Sequence, residues 1–405
     1  MKQGNKKLTL IVILGLLAGL GPLSIDMYLP ALPMITSELA TTTSLTQLSI
    51  TACLIGIASG QLFLGPFSDR VGRRRPLIIS LTIYIIVSIL CVFSPSIEVF
   101  VALRFLQGAA GSAGVVLSRA MVRDLYSGTE LTKFFALLML VNGAAPILAP
   151  VAGGLLLTFT SWRGIFFTLS VLSAIILFAV ILKLQETLPI ERRSTGGAKV
   201  IFTTFRQLLV DRSFMGYALA QACVMAAMFA YIAGSPFVLQ NIFNVSPQMY
   251  GIFFAINGIG IILASQITGR LAGHIAEAKM FKFGLFLAAG AGTSLLIAIL
   301  TNAGLIFVLI PLFFVVSSVG IVNTTSFALA MEKQGKNAGS ASALLGVLSF
   351  IGGAIFSPLV GIAGGYTALP MAILVAFGDI GALAVYFLFI RPIYKENLAS
   401  DKPLA

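Results

Sequence analysis

Three ionisable residues, Asp26, Arg104 and Asp379, stand inside long apolar runs of this 405-residue chain. On insertion scales a charge at the centre of a membrane span costs roughly 2.5–3.5 kcal/mol. Groups kept at that cost pair with one another, face water or bind something, and a carboxyl so placed can take up and release a proton. Asp26 lies in SIDMYLPALP, Ser24–Pro33, with apolar sequence on both sides. Counted at 1.5 Å per residue, Asp26 and Arg104 lie at similar depth, roughly 10–15 Å from the outer ends of their runs. An ion pair or a water-bridged pair between them is then feasible. It is either a static lock between two helices or a proton-exchanging carboxyl tuned by the arginine. Asp379 lies about 20 Å deep by the same count and is either an interhelical structural charge or a functional one.

The elements that must position these groups are membrane helices. The chain is 58% hydrophobic and 10% charged, against about 25% charged in soluble domains. A span needs about 20 predominantly apolar residues. Such runs fall at residues 8–34, 46–67, 76–95, 98–120, 133–157, 163–184, 213–239, 249–271, 280–300, 303–330, 338–362 and 367–390. The expected fold is an all-α membrane protein of twelve spans with no sizeable soluble domain.

The net charge of +12 does not point to nucleic acid, because its placement is topological. Apart from Arg104 in a span and Arg163 on the alternate side, every Lys and Arg falls at or near the side that carries the N-terminus. That asymmetry places both termini in the cytoplasm. The first run follows Lys2, Lys6 and Lys7 but is too long for a secretory signal, so it reads as an uncleaved helix. Cys53, Cys91 and Cys223 lie in spans and read as small core residues. With a single histidine, His274, in a cytoplasmic loop, no metal site is expected, nor any cofactor. No nucleophile–base pair or phosphate-binding Gly-Lys-Ser/Thr loop suggests an enzyme or direct use of ATP.

The one long polar stretch divides the chain into residues 1–184, a linker at 185–212, and 213–405. The linker, with Glu191, Arg192, Arg193 and the flexible Ser194–Gly197, reads as a surface connection. A faint echo joins the halves: GPFSDRVGR from Gly65 and GRLAGHIAE from Gly269 occupy the same point, between the second and third run of each half. A duplicated six-helix unit gives that placement. The second copy lacks the acidic residue and most of the arginines, so its role reads as vestigial.

In GPFSDRVGRRRPL, Gly65–Leu77, the glycines Gly65 and Gly72 allow a sharp reversal and close helix approach. Asp69 can bond backbone N–H groups or an arginine, and Arg70, Arg73, Arg74 and Arg75 can anchor the loop at an anionic leaflet. This stretch resembles motif A of the major facilitator superfamily. LRFLQGAAGSAGVVLSRAMVRDLY, Leu103–Tyr126, resembles its motif B with the in-membrane Arg104. APILAPVAGG, Ala145–Gly154, resembles the antiporter motif C, with Ala149 where the general motif has glycine. SIDMYLPALP resembles the first-helix motif of drug/proton exporters. Together they are most similar to the Bcr/CflA (bicyclomycin/chloramphenicol resistance) branch, the match being strong over residues 20–165 and resting on topology beyond.

That resemblance implies two pseudo-symmetric six-helix bundles around a central cavity, alternating access, and proton-driven efflux of small amphipathic drugs across the bacterial inner membrane. Asp26 and Arg104 would couple protons. Pro146, Pro150, Gly153 and Gly154 would make a bent, closely packed helix, which either governs exporter-type switching, as the resemblance implies, or is a generic Pro/Gly kink. Arg119, Arg123 and Asp124 would either join Asp69 in a gate or serve as topological anchors. Candidate substrate contacts are Tyr28, Asn142, Tyr217, Gln221, Met225, Met228, Phe229, Asn257 and Asn323, since Met and aromatic side chains adapt to varied ligands. The expected partners are a small-molecule substrate, protons and the bilayer, with the chain acting as a monomer. The rival reading on the same scaffold is a proton-coupled uptake symporter for a small metabolite.

Overall fold

The computed structural model describes residues 2–126, 128–193, 206–332, 334 and 338–392. It is helical throughout: among the described residues the sole extended pairing is an isolated bridge between Ala272 and Ile275. The helices are α1 (Lys2–Asp26), α2 (Leu32–Glu38), α3 (Thr43–Val71), α4 (Arg74–Val92), α5 (Ile97–Leu125), α6 (Gly128–Leu156) and α7 (Trp162–Lys183). They continue as α8 (Arg212–Phe237), α9 (Pro247–Leu271), α10 (Glu277–Leu300), α11 (Leu305–Met331), α12 (Ala338–Val360) and α13 (Leu369–Val385). A π-helical turn, Tyr386–Ile390, prolongs α13.

Among the described residues eleven helices are long and apolar enough to cross a membrane, and α6 adds a shorter apolar stretch, Gly143–Leu156. The first span, Leu10–Glu38, is assembled from α1 and α2. Side chains that would sit in the core of a soluble protein, such as Phe63, Phe178, Leu263, Phe283 and Ile306, face outward. This is the inside-out pattern expected where hydrocarbon is the solvent.

Helix starts follow local chemistry. The Thr42 hydroxyl accepts from Leu45 N–H at α3, and Ser161 accepts from Arg163 N–H at α7. At α8 one Asp211 oxygen accepts from both Ser213 and Phe214 N–H. Each side chain satisfies donors that a helix N-terminus leaves open.

The chain forms two compact units: Met1–Thr195 with Pro236–Ala255, and Gly196–Ser235 with Ile256–Ala405. The division therefore runs through α8 and α9, whereas the sequence marks its change of composition at the 185–212 linker. Within the first unit α3 and α5 pack backbone to backbone: a Cβ at Gly56 would strike the Phe105 carbonyl, and one at Gly108 the Cys53 carbonyl. Within the second, α9 and α11 do likewise where Gly320 faces the Ile261 carbonyl. Small residues permit such contact in membranes, where lipid tails offer no hydrophobic drive between helices. Each copy of the sequence echo carries one glycine in left-handed backbone, at different positions of the repeat: Gly72 (φ 105°) and Gly273 (φ 85°).

Candidate functional site

The first span breaks at Asp26, and Pro30 is the cause. A proline has no N–H to offer the carbonyl four residues back, and its ring collides with that carbonyl. For Pro30 that residue is Asp26, the last of α1. The break exposes carbonyls of the final turn. That of Leu23 accepts Met27 N–H at 3.1 Å. That of Ser24 accepts the Nη2 of Arg104 at 2.7 Å.

Arg104 is wholly buried in α5, with both terminal nitrogens hydrogen-bonded and Nε without a partner among the described residues. Its Nη1 donates to Gln107 Oε1 one turn along. Gln107 Nε2 in turn donates to Ser88 Oγ of α4 at 2.7 Å. The guanidinium carbon lies 4.3 Å from the centre of the Tyr28 ring and 5.5 Å from that of Phe166. Tyr28 is itself held by Ser49 at 2.9 Å. The Ser24 hydroxyl donates to Leu20 O, so the Tyr84 hydroxyl, 2.6 Å away, donates to Ser24. The guanidinium thus sits at the carbonyl end of α1, where the helix dipole favours a cation, over an aromatic face that favours it too.

Asp26 is buried beside this assembly. Its carboxyl makes no hydrogen bond or ion pair with the described residues, and the salt bridge to Arg104 that their similar depth makes feasible is not formed. The arginine is committed to the main chain two residues earlier.

At the end of α3 the turn at Gly72 delivers Arg73 inward. Arg73 Nη1 meets Asp69 Oδ1 at 2.6 Å and Ser68 Oγ at 2.7 Å, while Nε meets Asp124 Oδ2 at 2.9 Å. The reading of four leaflet-anchoring arginines is therefore corrected. Arg73 is buried in this cluster, and Arg74 is committed to the carbonyls of Leu184 and Ile181. Arg70 and Arg75 are exposed. Asp69 and Asp124 do share a network, but Arg119 and Arg123 do not join it; Arg73 links them. Gly65 lies within α3, an ordinary contact from Val116.

The linker's first residues also do more than connect. Glu186 Oε1 accepts from Arg73, Thr187 and Leu188 N–H, and Oε2 from Arg74 N–H. Partial burial would raise its pKa, yet the backbone donors of Arg73, Leu188, Arg74 and Thr187 outweigh that and hold it below the usual carboxylate value. It is a cap for α4 supplied from more than a hundred residues away. Ser194–Gly197, read as flexible, lies outside the described residues.

In α6 the segment from Pro146 to Gly154 faces two backbones. A Cβ at Gly153 would strike the Met27 carbonyl at the break in the first span, and one at Gly154 would come within 2.7 Å of Pro247 O. Gln248 Nε2 donates to Gly154 O at 3.2 Å. Gly251 returns the contact against Pro150 O at 2.7 Å. Ala149, in the place of the motif's usual glycine, is fully buried, and Pro146 is half-buried.

The second unit carries the other polar candidates. Gln221 Oε1 accepts from Ser326 Oγ at 2.6 Å, and its Nε2 lies 3.5 Å from Ser349 Oγ. Asn323 Nδ2 lies 3.3 Å from Met225 Sδ. Asn257 Nδ2 donates to the Tyr231 hydroxyl at 2.9 Å. Gln221, Met225, Met228 and Asn323 are half-buried. Tyr217 packs in the unit's core against Phe281, and Phe229 stacks towards Phe350. The side chain of Asn142 lies outside the described residues.

The Major Facilitator Superfamily model matches residues 14–357. The chain belongs to that superfamily. This facilitator is 47% identical over 386 residues to the uncharacterized MFS-type transporter YdgK of Bacillus subtilis, covering 95% of this chain and 96% of the relative. It is 31% identical to a bicyclomycin resistance protein homolog of Haemophilus influenzae, over 96% and 98% of the two chains. Its fold is similar to the crystal structure of the nucleoside transporter NupG, with a TM-score of 0.78 at 14% identity over 95% of this chain and 100% of that one. The facilitator is accordingly a multi-pass membrane transporter and not an enzyme.

Several of the facilitator's site residues escaped sequence reasoning. Gln107 sits in the same apolar run as Arg104 at i+3, a spacing that puts two side chains on one face, and that signal was available. Ser24 acts through its carbonyl, which no side-chain pattern reveals. Glu186 was hidden in a polar stretch, where one acid among several charged residues carries no mark.

Proposed function

We propose that this facilitator exports small amphipathic drugs from the bacterial cytoplasm in exchange for protons, by alternating access, as a monomer with both termini inside. One observation carries the reading. Asp26 is a buried carboxyl at a break in the first span, and the nearby guanidinium spends both terminal nitrogens on Ser24 O and Gln107 Oε1 rather than on it. A carboxyl locked in a salt bridge is poorly placed to exchange protons; this one has kept its charge-forming oxygens uncommitted. Ordered in this way, Arg104 fixes the broken end of α1 and supplies a local positive field, while Asp26 takes and releases the proton. A proton and a cationic or polar drug would then occupy the Asp26 region in alternation, each half-cycle moving one of them.

The Gly153 contact with the Met27 carbonyl supports a role for α6 in the cycle, because it bears on the break that positions Asp26. The half-buried Gln221, Met225, Met228 and Asn323 supply the mixture of amide and adaptable apolar surface suited to varied ligands. The name of the Haemophilus relative points to bicyclomycin as a first compound to try.

The test uses everted membrane vesicles bearing a pH gradient, with radiolabelled bicyclomycin added outside. Wild-type vesicles, acidified inside, should accumulate the drug, and an uncoupler should abolish this. Asp26→Asn should insert normally and lose gradient-driven accumulation. Undiminished accumulation by that variant, or movement of drug in the same direction as protons, would overturn the proposal.

A further inference from the structure

Asp379 lies in the middle of α13 with its side chain fully buried, and neither carboxyl oxygen has a hydrogen-bond partner. Its surroundings are close and apolar. From α10 comes Gly292, where a Cβ would stand 2.9 Å from Oδ2. From α8 comes Cys223, which carries a titratable thiol. The neighbouring Gly378 brings α13 against the Cys223 carbonyl, where a Cβ would lie 2.9 Å away, and Gly381 continues the approach along the Cys223 thiol. No Lys, Arg or His among the described residues is paired with it.

A carboxylate ion in such a place would lack both countercharge and donors, a combination that folded proteins avoid. The same side chain carrying a proton is neutral and is accommodated. Gly292 of α10 makes room for the carboxyl itself, and Gly378 and Gly381 of α13 let the helix close on α8 beside it. A leucine or alanine there would pack without any of this cost.

The contact has a second face. Cys223 and Gln221 are two residues apart on α8, so they project from nearly opposite sides of that helix. One side meets Asp379; the other meets Ser326 and Ser349. A shift of α8 that brought water or a donor to Asp379 would also move Gln221. Two turns beyond Asp379 the helix passes into the π-helical turn Tyr386–Ile390, an irregularity often found at functional positions.

We propose that Asp379 is a second proton-binding site, enclosed between α8, α10 and α13 and distinct from Asp26. It holds its proton in the packing seen here and releases it when α8 moves. Its use in transport rests on the proton-coupled reading above; its existence as a titrating site does not.

The two claims are separated by experiment. Purified full-length Asp26→Asn protein is titrated from acid to alkaline pH while infrared difference spectra follow the carbonyl stretch of protonated carboxylic acid. The expected result is a band that is absent from the Asp26→Asn/Asp379→Asn double variant. In the single variant it falls about tenfold per pH unit above its midpoint, as one titrating group does. A band that is missing from the single variant, or that persists unchanged at every pH reached with the protein folded, overturns the site. In vesicles, Asp379→Asn should reduce the protons moved per bicyclomycin by one; an unchanged ratio overturns its role in coupling. Failure of wild-type vesicles to move the drug with the gradient would instead refute the exporter reading and leave the infrared result standing.

Discussion

Arg104 donates to the main-chain oxygen of Ser24 at 2.7 Å and leaves the carboxyl of Asp26, two residues further on, outside its hydrogen bonds. The relation follows from the break at Pro30: the proline denies a donor to the Asp26 carbonyl, α1 ends there, and the Ser24 carbonyl of its last turn is left for the arginine. A guanidinium reaches Ser24 O and Gln107 Oε1 at once because its fork is planar and fixed. A lysine cannot span both, nor stack on Tyr28 in the same way. Arg104→Lys should therefore leave a buried acceptor unmet and lower stability by about 1–3 kcal/mol. Thermal unfolding in detergent checks this, and a variant as stable as wild type would show that the network is dispensable.

The same geometry makes Pro30 and Arg104 partners in an energetic sense. Pro30→Ala lets α1 continue, so that the Tyr28 N–H can compete for the Ser24 carbonyl. Arg104→Lys should then cost less in the Pro30→Ala background than in wild type. A double-mutant cycle should return a coupling of about 0.5–3 kcal/mol, the range for groups sharing a partner. Strict additivity would mean that the proline break and the arginine are independent.

Gly153 faces the Met27 carbonyl so closely that a methyl group has no space. Gly153→Ala must push α6 away from the broken span, with a penalty of about 1–3 kcal/mol as in other overpacked interiors. Drug accumulation in vesicles should fall along with the melting temperature. Gly269→Ala, where nothing lies within 4 Å of the added carbon, serves as the control and should do neither by that route.

How much of this was legible beforehand depends on what each residue uses to act. The spans were legible because they are defined by long apolar runs, and Asp26, Arg104 and Asp379 because charge is rare within them. Asp69 and Gly72 were legible from spacing. The Arg104 partner was not, since a helix-end carbonyl has no side-chain signature, and a shared depth suggested a salt bridge instead. The role of Arg73 was obscured by its three arginine neighbours, identical in type and different in burial. Tyr217 and Phe229 satisfy the spacing of a ligand-facing stripe equally well when they pack against Phe281 and Phe350.

Glu186 offers the clearest pH test outside the spans. Its carboxylate accepts four backbone N–H groups, and they hold its pKa below the usual 4.5 in spite of desolvation. A depressed carboxylate contributes stability that is fully present above its unfolded value and is lost as pH falls through the folded one. The tie between the linker and the start of α4 should therefore weaken only below about pH 4.5. Glu186→Gln keeps one oxygen but puts an NH2 where either Arg73 or Arg74 N–H needs an acceptor, so it should loosen the tie at neutral pH. The side chain is mostly exposed, so screening limits the effect to about 0.5–1 kcal/mol. Hydrogen exchange at the Arg73 and Arg74 amides reads it directly. Wild type should show faster exchange at acid pH than the intrinsic rate change explains, and the Gln variant should be fast at neutral pH already. Equal protection in both proteins at pH 7 would mean that α4 is held by Arg73 and Asp124 alone.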